Sequence, residues 1–141
     1  MVPESRKVDI LYDIQHPEAK EGVGKAVFEL MNRRDVAINM NIIEGYELLD
    51  CVKGFHYDVV ILHLGGNGYP EGAFRQADKC RRLTDAKLVA ESVMLAHPVA
   101  KKLCLEHFDA VIGPLYMDHN LENLLEGLNF LTPDYKTDDF R

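Results

Sequence analysis

Cysteine is scarce in this chain, and the few present do not pair. Cys51, Cys80 and Cys104 are odd in number and widely separated, so they offer no disulfide framework and no Cys-x-x-Cys metal pair. Cys80 and Cys104 fall on apolar helical stripes and read as small core residues. Long apolar runs are lacking too: no stretch approaches the ~18–20 residues of a membrane-spanning helix. Met1–Lys7 has no apolar h-region, which argues against a secretory signal. Positive charge is in deficit, with 16 Lys and Arg against 23 Asp and Glu and a formal net charge of -7. A surface of that sign repels phosphate backbones, which argues against nucleic acid as a direct partner. The expectation is a soluble cytoplasmic protein with neither a membrane nor a nucleic acid as its partner.

What is present is a globular balance. Of 141 residues 47% are apolar and 28% charged, which suits one domain with one core. Short apolar runs alternate with stretches of helical spacing, five times over. The runs Lys7–Tyr12, Val36–Ile43, Tyr57–Leu64, Lys87–Ala90 and Asp109–Ile112 read as strands. Tyr57–Leu64 (YDVVILHL) is apolar on both faces, as a central parallel strand is, whereas Val36–Ile43 alternates and belongs near an edge. Between them, Glu18–Arg33, Gly45–Lys53, Glu71–Leu83, Pro98–His107 and Asp118–Leu131 read as helices, the last with Asp118 as its cap and a stripe of Leu121, Leu124, Leu125, Leu128 and Leu131. Gly65–Pro70 is a loop, and residues 132–141 (TPDYKTDDFR) are a polar tail beyond a domain spanning 1–131.

Alternating β and α units with short connections imply a parallel sheet covered on both faces, a three-layer α/β/α sandwich of the flavodoxin-like type with strand order 2-1-3-4-5. In such sheets the reactive crevice lies at the carboxyl ends of the strands. That rule selects Tyr12 and Asp13 after the first strand, His63 and the glycine loop with Asn67 after the third, Glu91 and Ser92 after the fourth, and Gly113 and Pro114 after the fifth.

These residues resemble a known pattern. Asp58–Leu64 (DVVILHL) followed by a Gly/Pro loop is similar to the third strand of response-regulator receiver domains. Asp109–Leu115 (DAVIGPL) is similar to their fifth, and the helix opening at Met117-Asp118 to their last. The resemblance runs from Lys7 to Leu131. It implies a site with paired acids binding magnesium, an aspartate accepting the phosphoryl group, a hydroxyl, and a lysine. Here Asp13 matches one acid, while Tyr12 stands in place of the other. His63 falls at the phospho-acceptor position. Ser92, or Glu91 one residue earlier, takes the hydroxyl position. Gly113 replaces the lysine, with Pro114 retained.

Each replacement has a chemical consequence. One carboxylate holds magnesium weakly, so Asp13 is at best a weak site for Mg2+ and no cofactor is implied. Without a fixed cation, the charge of a transferring phosphoryl group is not neutralised. The resemblance therefore implies a degenerate receiver: a signal-transduction or adaptor domain, not an enzyme, that associates with a protein partner without aspartyl phosphorylation. By the same resemblance its surface is the face of the fourth helix, fifth strand and fifth helix, as a homodimer or with another protein.

His63 leaves three further roles open: a phospho-acceptor in its own right, a metal ligand with Asp13 and Glu91, or a pH-sensing group, beside the plainer one of a hydrogen-bonded filler of the pocket. Asp13, His63 and Ser92 also invite a hydrolytic triad, but Ser92 sits in no Gly-x-Ser-x-Gly elbow. Gly65-Gly66-Asn67-Gly68 could cradle an anion, yet it lacks both the Gly-x-Gly-x-x-Gly spacing and the Gly-Lys-Ser/Thr ending. Vitamin B12-binding domains share the strand order, but their Asp-x-His-x-x-Gly signature fails because Asp13 and His16 stand one residue too far apart. The rival to the adaptor is a small-molecule or metal sensor, or an enzyme, using the same crevice.

Overall fold

The structure is a computed structural model that describes residues 7–14, 17–44, 47–64, 71–91, 98–117 and 119–132. Its strands are β1 (Lys7–Asp13), β2 (Ala37–Ile43), β3 (Val59–His63), β4 (Lys87–Glu91) and β5 (Ala110–Ile112). Its helices are α1 (Lys20–Arg34), α2 (Leu48–Gly54), α3 (Glu71–Leu83), α4 (Pro98–His107) and α5 (Asn120–Gly127), with a 3₁₀ turn at Pro17–Ala19 before α1. The sheet has the order β2-β1-β3-β4-β5, and every neighbouring pair is parallel. This is the flavodoxin-like arrangement expected from the alternation of strand and helix.

Strand alternation sorts the core into two layers. Val8, Ile10 and Tyr12 of β1, Val59 and Ile61 of β3, and Val89 of β4 face α1 and α5. Leu11, Val60, Leu62, Leu88 and Ala90 face the other way, packing with Leu48 and Val52 of α2, Ala77 and Cys80 of α3, and Cys104 of α4. Cys80 and Cys104 are buried, as their stripes suggested. β2 exposes alternate residues, as an edge strand does.

Aspartates organise the amino ends of the strands. Asp58 Oδ2 accepts the Asp9 N–H at 2.8 Å, and Asp109 Oδ2 accepts the Leu88 N–H at 2.8 Å. Asp9, unexpected within a central strand, accepts a bond from Asn39 Nδ2 on β2 at 3.1 Å. Several helix boundaries differ from expectation, α1 beginning at Lys20 after the 3₁₀ turn and α5 at Asn120. α2 begins at Leu48 rather than Gly45. α5 ends at Gly127, four residues before Leu131. Asn129 turns left-handed (φ 66°), and the N–H groups of Phe130 and Leu131 both return to the Leu125 carbonyl. The leucine stripe still reaches Leu131, which is buried through this turn rather than through a further helical turn.

Candidate functional site

Register and parity bring one set of crevice residues together. Tyr12 pairs with Ile61, and His63 pairs with Glu91. Tyr12, His63 and Glu91 share the parity of Val8, Val59 and Val89, so all three project from the carboxyl end of the sheet on the α1–α5 side. They meet on one carboxylate. The Tyr12 hydroxyl donates to Glu91 Oε1 at 2.5 Å, and His63 Nδ1 lies 2.9 Å from the same oxygen. The other oxygen, Oε2, accepts the backbone N–H of Leu115 at 2.8 Å. Glu91 is 2% exposed and Tyr12 equally buried.

A buried carboxylate is costly unless its oxygens are bonded. Burial alone raises the Glu91 pKa, but the hydrogen bonds from His63, Tyr12 and the Leu115 N–H outweigh it and hold the group below the usual glutamate range. The same contact acts in reverse on Tyr12: burial, together with the bond to Glu91 and its charge, drives the phenol far above its ordinary value and keeps the hydroxyl a donor. Glu91 thereby ties β1, β3 and β4 to the turn after β5. That turn is itself pinned, since the Pro114 carbonyl accepts from Asn120 Nδ2 at 2.8 Å and from the Met117 N–H at 3.1 Å. Leu115 is fully buried, while its neighbours Tyr116 and Met117 are exposed.

Asp13 does not join this group. Its parity is that of Leu11, and it lies across from Leu62 on β3. Burial raises its carboxyl pKa, and the charge of His63 only partly offsets this. Its negative charge is felt by Cys80 on α3, whose thiol burial and Asp13 together push up to about 11. A metal set of Asp13, His63 and Glu91 gains no support: His63 and Glu91 bond each other, and among the described residues no three His, Cys, Asp or Glu side chains are grouped to hold a metal ion. Gly113 and Pro114 follow β5 as expected. Asn67, Ser92, the glycine loop and Asp118 lie outside the described residues, and the N-cap of α5 is His119, left-handed and without a side-chain cap bond, rather than the expected Asp118.

The position of Glu91 was ambiguous in the sequence. It is the last residue of β4, in register with His63, not the first residue of a loop. The Tyr12–Glu91 pair was missed, although the shared parity of positions 12, 63 and 91 with the apolar core positions carried the signal. The Leu115 N–H contact had no such signal, because it depends on the path of the chain after β5. A further residue that sequence reasoning passed over is Gly22 of α1. A Cβ there would stand 3.1 Å from the Tyr116 Cβ, so glycine lets the β5–α5 turn approach α1 closely.

No protein-family model matches the chain, and no curated protein does. Solved structures do. A response regulator from Hahella chejuensis is similar with a TM-score of 0.59 and 15% identity, over 91% of this chain and 96% of its own. Adenylate cyclase from Rhodopirellula baltica is similar with a TM-score of 0.59 and 10% identity, over 87% of this chain and 86% of its own. A fusion protein carrying a yeast trimeric coiled-coil segment reaches a TM-score of 0.63 at 10% identity, over 91% of this chain and 80% of its own. Likeness at this level establishes a receiver-like fold and says nothing of the chemistry. Among the described residues no helix is long and apolar enough to cross a membrane.

Proposed function

We propose that this chain is a receiver-like signal-transduction or adaptor domain that works by association with a protein partner and does not pass through an aspartyl phosphate. The observation that carries this reading is the Glu91 carboxylate. It accepts from a phenol, an imidazole and a backbone N–H at the carboxyl ends of β1, β3, β4 and beyond β5. A resident anion in that position repels a phosphoryl group. His63 replaces the acceptor aspartate, Tyr12 replaces one of the metal-binding acids, and Gly113 supplies no cation, so none of these positions neutralises transferred charge as a lysine and paired acids with Mg2+ would. The link from Glu91 to Leu115 then holds the β5–α5 turn in one arrangement, with Tyr116 and Met117 presented outward.

The test is a titration of the ¹⁵N-labelled protein with beryllofluoride and Mg2+, followed through backbone amide shifts. The proposal expects no saturable shift at Asp13, His63, Glu91 or Leu115. Saturable shifts clustered on these residues would overturn it in favour of a working anion or metal site. Sedimentation of the wild type and a Tyr116→Ala variant tests the association part, which predicts weaker assembly or partner capture in the variant.

A further inference from the structure

The amino ends of β3 and β4 carry a second feature that the crevice does not use. The end of α2 and the turn after it (52–56) face the end of α3 and the turn after it (81–85) across a groove of about 640 Å3. Lys53, His56, Arg81 and Arg82 line it, with Asp85 as its acid. Among the lining side chains three permanent cations face one carboxylate, while Asp58 and Asp109 stand at the edge, so the free positive charge rests with Lys53 and Arg82. Arg81 is partly engaged, donating to the His107 carbonyl at 3.2 Å and lying 3.5 Å from Asp109 Oδ2, and His56 stands 3.9 Å from Asp58. Lys53 and Arg82 form no ion pair among the described residues, and both are exposed.

Basic side chains in the last turns of α2 and α3 complement the helix dipoles, which accounts for their sign. It does not account for the apolar side chains beside them. Phe55, 68% exposed, and Leu83, 41% exposed, are two of the large apolar residues this surface leaves in water, and both line the same groove. Cations flanking exposed apolar surface form a complementary patch for a chain that carries both carboxylates and an apolar side chain.

We propose that this groove docks an acidic segment of a protein partner, its carboxylates against Lys53, Arg81 and Arg82 and an apolar side chain against Phe55 and Leu83. A short acidic peptide suits the site better than a nucleic acid, because the net charge of the domain opposes a long polyphosphate. The inference supplies a partner chemistry for the association reading, but stands apart from the crevice: it holds whether or not beryllofluoride binds there.

The test is fluorescence anisotropy of a labelled peptide of sequence EDEWED with the full chain. Saturable binding below about 1 mM is expected. A Lys53→Glu/Arg82→Glu double variant is expected to bind at least about tenfold more weakly, and so is wild type with EDESED, which lacks the apolar anchor. Phe55→Ser should reproduce the loss seen with EDESED. Both basic positions are exposed, and circular dichroism checks that the variants stay folded. Absence of saturable binding, equal binding by the charge-reversed variant, equal binding of EDESED, or tighter binding of a single-stranded oligonucleotide than of EDEWED would each overturn the proposal.

Discussion

Glu91 and Glu122 are the two charged side chains buried among the described residues, and they are buried in different company. Glu122, in the first turn of α5, meets the end of α1. Arg33 and Arg34 each reach one of its oxygens at 2.6 Å, and His119 Nδ1 lies at 3.1 Å. Arg34 also contacts Glu126 and donates to the Thr132 carbonyl. This is an ion cluster that fastens α5 and the chain after it onto α1. Glu91, at the carboxyl ends, has no arginine or lysine among its hydrogen-bond partners in the described residues. Its partners are a hydroxyl, a ring nitrogen and a main-chain N–H. Arginine contributes permanent charge and several donors, which here lets Arg34 join Glu122, Glu126 and the Thr132 carbonyl. Converging donors on a lone buried carboxylate resemble the way a protein holds a bound anion. The comparison teaches that burial of the same residue type fastens two helices in one place and fills the candidate crevice in another.

The largest way to break the comparison is Glu91→Ala. It removes the common acceptor of three donors, two of them buried, and a loss of about 3–5 kcal/mol in urea unfolding is expected. Glu91→Gln keeps an acceptor oxygen and should cost less, so the difference between the two variants reads what the charge itself adds. Equal losses would show that charge is irrelevant at this site.

Next comes pH. Burial pushes the Glu122 carboxyl up, but bonds from Arg34, His119 and Arg33 pull it down to about 2 from an ordinary 4.5. A folded pKa below the unfolded one gives stability that is complete above about pH 4.5 and is lost as pH falls towards 2. The size is about 1–3 kcal/mol at neutral pH, reduced from the full shift because Arg33 is half exposed. Glu91 has the same sign, with its pKa lowered, and Asp13 the opposite one, since its raised pKa favours the folded state only while it is protonated. Urea unfolding at about pH 7 and pH 3 should therefore show a steep acid loss. In Glu122→Gln that loss should be much smaller, and a loss of unchanged size in the variant would remove the ion cluster from the account.

Tyr12→Phe deletes one of the donors to Glu91 and should cost about 1–2 kcal/mol, with the Glu91 pKa moving back up. Smallest is Gly22→Ala. The added methyl meets Tyr116 at 3.1 Å while gaining helix propensity. The contact is with the Tyr116 Cβ on a pinned turn, which must give by a few tenths of an ångström, so the two effects offset and the net change is expected within about 1 kcal/mol. The amide shifts of Leu115 and Tyr116 should move nonetheless, since the turn they occupy is displaced.

The sheet was legible because its residues obey one local rule: β3 is apolar on both faces and β2 alternates, as a central strand and an edge strand must. The crevice was legible as a place, from the carboxyl-end rule. Its internal wiring was only half so. Parity at 12, 63 and 91 placed three side chains on one face, whereas the Leu115 N–H and the approach of Tyr116 to Gly22 arise from tertiary placement of a turn. The Glu122 cluster was missed for a similar reason. Arg33 and Arg34 lie about 90 residues from Glu122, and nothing in a leucine-striped helix marks the carboxylate as buried. The end of α5 misled because the leucine stripe persists through a left-handed turn at Asn129.

The most direct test of the central claim is a ¹³C titration of the Glu91 side-chain carboxyl in wild type and Tyr12→Phe. An anion held by converging donors should titrate below the ordinary glutamate range in wild type and closer to it in the variant. A Glu91 that titrates above that range, unchanged by loss of the Tyr12 hydroxyl, would contradict the claim that the crevice is filled by its own carboxylate.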